Sequence, residues 1–153
     1  MVPSIPSDRI EDETMGTAGG LARLGPMTQL NQKEVLIVED EAMIRMVAAD
    51  ALAERGIVAW EAGDAEEALD ALNEHPAISL LFTDVNMPGD MNGIDLARRV
   101  HEVRPDVELV ITSGATSVAS DDLPDHGTFL GKPYPVDRLV HIVATKLDPT
   151  SRG

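Results

Sequence analysis

The chain has 153 residues, 43% of them hydrophobic, with 27 Asp and Glu against 12 Lys and Arg for a net charge of −15. That length supports one domain with a real core, while the apolar runs, such as Val35-Leu36-Ile37-Val38, are too short to span a bilayer. With no cysteine, disulfides, thiolate metal sites, iron–sulfur clusters and a cysteine nucleophile are excluded, and so acidic a surface repels phosphate backbones and argues against direct nucleic-acid binding.

Residues 1–31 hold Pro3, Pro6, Gly16, Gly19, Gly20, Gly25 and Pro26 without a sustained period, which predicts a disordered N-terminal arm. They lack the basic start and apolar stretch of a signal peptide. Together with the absence of cysteine, this suits a cytoplasmic protein. A folded domain is expected over residues 32–148 and a frayed tail over 149–153. Within the domain, Val35–Val38 reads as a buried strand. Ile44, Val47, Ala48, Ala51 and Leu52 recur at helical spacing up to Gly56. Ile57–Trp60 is a second strand. Asp64-Ala65-Glu66-Glu67 is a capping-box pattern opening a helix with Ala65, Ala68, Leu69 and Leu72 inward. A third strand, Ile78–Thr83, ends at Asp84. Gly93 precedes a helix carrying Leu96, Ala97, Val100 and Val103. Val107–Thr112 and Thr128–Gly131 are the fourth and fifth strands. Pro135 then opens a last helix with Val136, Leu139, Val140, Val143 and Leu147 inward.

Strands alternating with helices imply a parallel sheet covered on both faces, with ligands bound outside the carboxyl ends of the strands. At those ends stand Glu39, Asp40 and Glu41, then Asp84, then Ser113 and Gly114, then Lys132. If the first and third strands are neighbours, Glu39, Asp40 and Asp84 converge. Crowded carboxylates repel unless a cation intervenes, and hard oxygen donors around an open position suit Mg²⁺. A hydroxyl from Ser113 and an ammonium from Lys132 complete a site able to hold a phosphoryl group, with Asp84 as nucleophile. Each piece alone is ordinary: acids favour helix N-termini, and Ser-Gly or Lys-Pro commonly mark turns. The set, supplied by four strands at one end of one sheet, is what carries the reading. His75, His101, His126 and His141 have no metal-ligand spacing.

From Glu34 to about Leu147 the sequence resembles the receiver domain of bacterial two-component response regulators. The matching stretches are Val35-Leu36-Ile37-Val38-Glu39-Asp40-Glu41, Leu81-Phe82-Thr83-Asp84-Val85-Asn86-Met87-Pro88, Ile111-Thr112-Ser113-Gly114 and Gly131-Lys132-Pro133-Tyr134. The resemblance implies a flavodoxin-like, doubly wound (βα)5 fold with strand order 2-1-3-4-5. It implies that Asp84 accepts a phosphoryl group from a phosphohistidine of a histidine kinase or histidine phosphotransfer protein. Glu39, Asp40, Asp84 and the backbone carbonyl of Asn86 would hold Mg²⁺. Ser113 would be the switch hydroxyl, Lys132 the phosphoryl contact with a cis bond to Pro133, and Phe129 the switch aromatic. Such a protein is a phosphorylated switch that docks on a downstream protein target. It is not a turnover enzyme, although its phosphoryl group slowly hydrolyses. Whether phosphorylation makes it a homodimer is left open.

Two departures stand out. Three residues, Gly89-Asp90-Met91, separate Pro88 from Asn92 where the family usually has two, and the segment from Ser113 to Lys132 is short. The second predicts a short or irregular fourth helix, at most about two turns between Thr116 and Leu123. Small side chains at Asn86 and Ala115 predict ready access for hydrolytic water. With little chain outside the domain, a stand-alone receiver is expected. The competing readings are a phosphate-independent receiver-like adaptor, a Mg²⁺-dependent phosphohydrolase and a flavin-binding flavodoxin-like module. A phosphohydrolase would want an acid where Asn86 stands. A flavin module would want a Ser/Thr/Gly-rich loop where Glu39-Asp40-Glu41 stands.

Overall fold

A computed structural model describes residues 33–114 and 127–148. The expected N-terminal arm, the tail, Ala115 and the short helix between Thr116 and Leu123 lie outside these residues. The elements are β1 (Glu34–Val38), α1 (Ala42–Glu54), β2 (Val58–Ala62), α2 (Ala65–Glu74), β3 (Ile78–Asp84), α3 (Gly93–Val103), β4 (Glu108–Ser113), β5 (Gly127–Gly131) and α4 (Val136–Leu147). The five strands pair in parallel in the order β2-β1-β3-β4-β5. The chain passes from β1 to β2 on one side and returns to β3 on the other. The crevice where the order reverses therefore opens beyond Val38 and Asp84.

Both faces of the sheet are covered, which is why its strands read as continuous apolar runs rather than alternating ones. On one face Leu36, Val38, Leu81, Leu109 and Ile111 pack with Ala68 and Leu72 of α2 and Leu96 and Val100 of α3. On the other, Val35, Ile37, Leu80, Phe82, Val110 and Leu130 pack with Ala49 and Leu52 of α1 and Leu139 and Val143 of α4. The parity is strict: odd residues of β1 face α1 and α4, even ones face α2 and α3.

Two helix faces differ from the sequence reading. In α1 the buried residues are Ala48, Ala49 and Leu52, whereas Val47 is 51% exposed. Met43, Met46 and Val47 make α1 apolar on its outer side as well, so spacing alone cannot select the inward face. Small Ala48 and Ala49 let this helix lie close to the sheet and α4. In α3, Val103 is exposed because it falls on the last turn, past the end of the packed face.

The caps carry more of the local specification than spacing does. Asp64 caps α2 by accepting from the Glu67 N–H at 2.9 Å. The Glu67 carboxylate, however, accepts from Gly63 N–H at 2.7 Å, one residue earlier than a reciprocal box requires. A complete capping box instead opens α3, formed by Asn92 and Asp95. The first residue of that helix, Gly93, is buried against the end of β3 and donates its N–H to Val85 O at 2.8 Å. A Cβ at Gly93 would overlap the carbonyl oxygen of Asp84. Gly93→Ala should therefore cost about 1–3 kcal/mol in denaturant unfolding, and an unchanged midpoint would refute the close-approach requirement.

Candidate functional site

The strand parity that builds the second core also builds the site. Glu39 continues the odd face of β1 and is only 3% exposed; Asp84 ends β3 on the same face as Phe82 and is 5% exposed. Carboxylate oxygens of Glu39, Asp40 and Asp84 all lie within 4.8 Å of one another. Lys132, just beyond β5, reaches across β4 to both buried acids. Its Nζ donates to Asp84 Oδ2 at 2.9 Å and to Glu39 Oε1 at 3.3 Å. The remaining oxygens are met by the backbone: Glu41 N–H donates to Glu39 Oε2 at 3.1 Å, and Asn86 N–H to Asp84 Oδ1 at 3.2 Å. Each oxygen of the two buried carboxylates thus has a donor.

Lys132 is itself placed by the sheet. Its N–H donates to Ser113 O at 3.0 Å, continuing the β4–β5 ladder past the Ser113–Gly131 pair, and its bond to Pro133 is cis. Ser113 is buried at the end of β4. Phe129 lies on β5 opposite Ile111 and is 37% exposed. Tyr134 packs edge-on against Phe82, with ring centroids 5.9 Å apart.

The electrostatics are unbalanced. Burial, and secondarily the Asp84 charge, push the Glu39 carboxyl above its ordinary value, although Glu41 N–H and Lys132 oppose the rise. For Lys132 burial works downward, but the bonds and attraction of Asp84 and Glu39 outweigh it and the ammonium titrates above its ordinary value. Three carboxylates around one ammonium leave negative charge in excess. Hard oxygen donors on one rim with excess negative charge are the donor set that Mg²⁺ takes, so the residues present fit that ion. Of the residues singled out in the sequence, Glu39, Asp40, Asp84 and Lys132 come together directly. Ser113 and Asn86 adjoin them through backbone bonds. Phe129 stands on the neighbouring strand surface.

Three residues escaped the sequence reading. Arg45 and Glu61 pair at 3.2 Å beside the acids. A cation at the start of a helix opposes the helix dipole, and that broken local rule was the available signal for Arg45. The third is Thr112, paired across the ladder with Asp84. Its Oγ1 is the one buried side-chain polar atom without a hydrogen-bond partner among the described residues. Thr112→Val should be neutral or stabilising by up to about 1 kcal/mol in unfolding experiments, and a clear loss of stability would contradict an orphaned hydroxyl.

The raised Glu39 value has a consequence for stability. The folded chain binds that proton more tightly than the unfolded chain. The contribution of this one group to metal-free stability is therefore fully present below the ordinary Glu value and is lost as pH rises through the raised one. Glu39→Gln removes that loss. Without metal, the variant should gain in melting temperature relative to the wild type as pH rises through that range, and the gap should close as the solution is acidified. A gap that widens on acidification would reverse the assignment.

Comparison with known proteins agrees with this fold. The family model described as the response regulator receiver domain matches residues 35–144. Response regulator receiver protein CpdR of Brucella abortus is 34% identical over 118 residues, covering 75% of this chain and 97% of that protein. Chemotaxis protein CheY of Thermotoga maritima is 30% identical over 112 residues, covering 71% of this chain and 92% of that one. Among solved structures, a CheY-like response regulator receiver domain protein from Methanospirillum hungatei superposes with a TM-score of 0.69 at 26% identity, covering 79% of this chain and 98% of that one. Fold and sequence agree, and the chain belongs to the response regulator receiver domain family.

Proposed function

We propose that Asp84 accepts a phosphoryl group from a phosphohistidine of a histidine kinase or histidine phosphotransfer protein. The observation that carries this reading is the convergence of Glu39, Asp40 and Asp84 on one rim, with Lys132 bonded to both buried acids. In the transfer, an Asp84 carboxylate oxygen forms a bond to phosphorus and the phosphorus–nitrogen bond of the donor breaks. The imidazole nitrogen leaves with that electron pair. Carboxylate attack on an anionic phosphoryl group is opposed by charge, so positioning and neutralisation supply the catalysis. Mg²⁺, when bound, offsets the charge on the phosphoryl oxygens. Glu39, Asp40, Asp84 and the backbone carbonyl of Asn86 are the residues that would hold it. Lys132 already contacts Asp84 and keeps a positive charge beside the group transferred. Ser113 would then donate its hydroxyl to a phosphoryl oxygen, and Phe129 would turn into the space this opens, a two-state shift driven by a change of charge.

A protein donor is supported by the surface beside the acids. Met43 and Val47 of α1 are 75% and 51% exposed, and they line a groove of about 620 Å³ with Ile44, Tyr134, Val136 and Lys132. Apolar side chains presented to solvent next to a reactive carboxylate suit recognition of a partner helix. No described helix is long and apolar enough to cross a membrane. The phosphorylated protein would act in the cytoplasm by docking on a downstream target, with slow loss of the phosphoryl group rather than turnover. With Mg²⁺ and a small-molecule phosphodonor, intact-mass analysis should show one added phosphoryl group on the wild type and none on Asp84→Asn. Labelling of Asp84→Asn at the wild-type rate would overturn the assignment.

A further inference from the structure

We infer that Arg45 is a positioning residue for the acid pair, holding the peptide between Glu39 and Asp40 so that both carboxylates meet one cation. The inference rests on the reading of that pocket as a Mg²⁺ site. Arg45 is the fourth residue of α1, and its N–H closes the first turn on Glu41 O at 3.0 Å. A cation at this end of a helix is disfavoured by the dipole, and no acidic residue in the first turn of α1 offsets it. Its side chain instead turns back toward the sheet. Nη1 donates to the backbone carbonyl of Glu39 at 2.7 Å, and Nε donates to Glu61 Oε1 at 3.2 Å.

The carbonyl that Arg45 grips belongs to the planar peptide joining Glu39 to Asp40. Holding that plane restricts ψ of Glu39 and φ of Asp40, the two torsions that set how the acids diverge. The other side of Glu39 is anchored too, since its N–H donates to Ala62 O at 3.1 Å. Glu61, which holds the guanidinium, lies on β2 in register with Ile37 of β1. The turn carrying the acids is thus tied to β2 at both edges of Glu39. Without a cation, neighbouring carboxylates repel, and Asp40, exposed at the rim, is free to swing outward unless its backbone is held. An Arg serves here because its rigid fork meets two acceptors at once, which a Lys ammonium on a flexible stem does poorly.

The inference makes a prediction opposite in sign to simple electrostatics. Arg45 is a positive charge near a cation pocket, so Coulomb repulsion alone says that removing it tightens Mg²⁺ binding. Positioning says that removing it weakens binding. Mg²⁺ titration calorimetry on the full chain should show affinity reduced about tenfold in Arg45→Ala, the loss expected when a group orienting metal ligands is removed. Arg45→Met, which keeps an aliphatic stem, should show the same loss and replaces the Ala variant should that one fail to fold. Arg45→Lys should fall between these and the wild type. Phosphorylation by a small-molecule donor should recover to the wild-type rate at saturating Mg²⁺, with only the Mg²⁺ requirement raised. A structural defect would instead lower the rate at every Mg²⁺ concentration. Unchanged or tighter Mg²⁺ binding in the Ala and Met variants, or a rate that Mg²⁺ does not restore, overturns the inference while leaving the phosphoacceptor reading intact. A wild type that binds no Mg²⁺ overturns both.

Discussion

The Lys132 ammonium between Asp84 and Glu39 is the interaction on which the site depends. Two carboxylates almost withdrawn from water cannot both stay ionised side by side without a counter-charge. The nearest one comes from the far side of the sheet, 93 residues after Glu39 and 48 after Asp84 in sequence. Its reach across β4 is possible only because β5 is the neighbour of β4, and because Lys132 N–H extends the ladder onto Ser113 O. The strand order is therefore part of the electrostatics. A different placement of β5 would leave Glu39 and Asp84 facing each other with backbone donors alone.

The same alternation that fills the core also aims the site. Ile37, Phe82 and Leu130 face α1 and α4 from the interior of β1, β3 and β5, and Glu39, Asp84 and Lys132 follow them by two residues each. A slip of one residue in any of these strands would send its polar side chain to the opposite face. Register is pinned by apolar burial along the strand, so the core does the aiming. Gly93 adds the complementary constraint by letting α3 start directly against the Asp84 carbonyl.

This coupling explains what could be read in the sequence. Strand ends in a parallel sheet collect at one edge, so Glu39, Asp40, Asp84, Ser113 and Lys132 can be placed together from their positions in the chain alone. The family resemblance then supplied the strand order. Side-chain faces on helices were less legible. The outward face of α1 is apolar as well, and the period of Ile44, Val47 and Ala48 fits two orientations that differ by a fraction of a turn. Only the approach of alanines to the sheet and α4 decides between them. The capping box of Asn92 and Asp95 was present in the sequence, but Gly93 looked like the boundary itself. For Arg45 the only mark in the sequence is a cation misplaced at a helix start, which does not reveal its partner. Its role depends on Glu61, sixteen residues away on another strand.

On the proposed function, phosphorylation would redistribute this ion bridge rather than simply add charge to it. Lys132 now divides its donors between Asp84 Oδ2 and Glu39 Oε1. Once Asp84 becomes an acyl phosphate its own carboxylate charge is gone, and the new negative charge lies on phosphoryl oxygens farther out. The ammonium gains by following that charge. Its main chain, however, is held to β4 at Ser113. A shift of the side chain is therefore felt first at the β4–β5 edge, where Ser113 and Phe129 stand, and not in the β1–β3 centre where the core is deepest. Glu39, losing part of its counter-charge, would depend more heavily on a bound cation at the same moment. The tie from Arg45 to the Glu39 carbonyl keeps that demand from opening the β1–α1 turn. On that reading the chemistry at Asp84 would move the outer edge of the sheet while the acid pair stays in place.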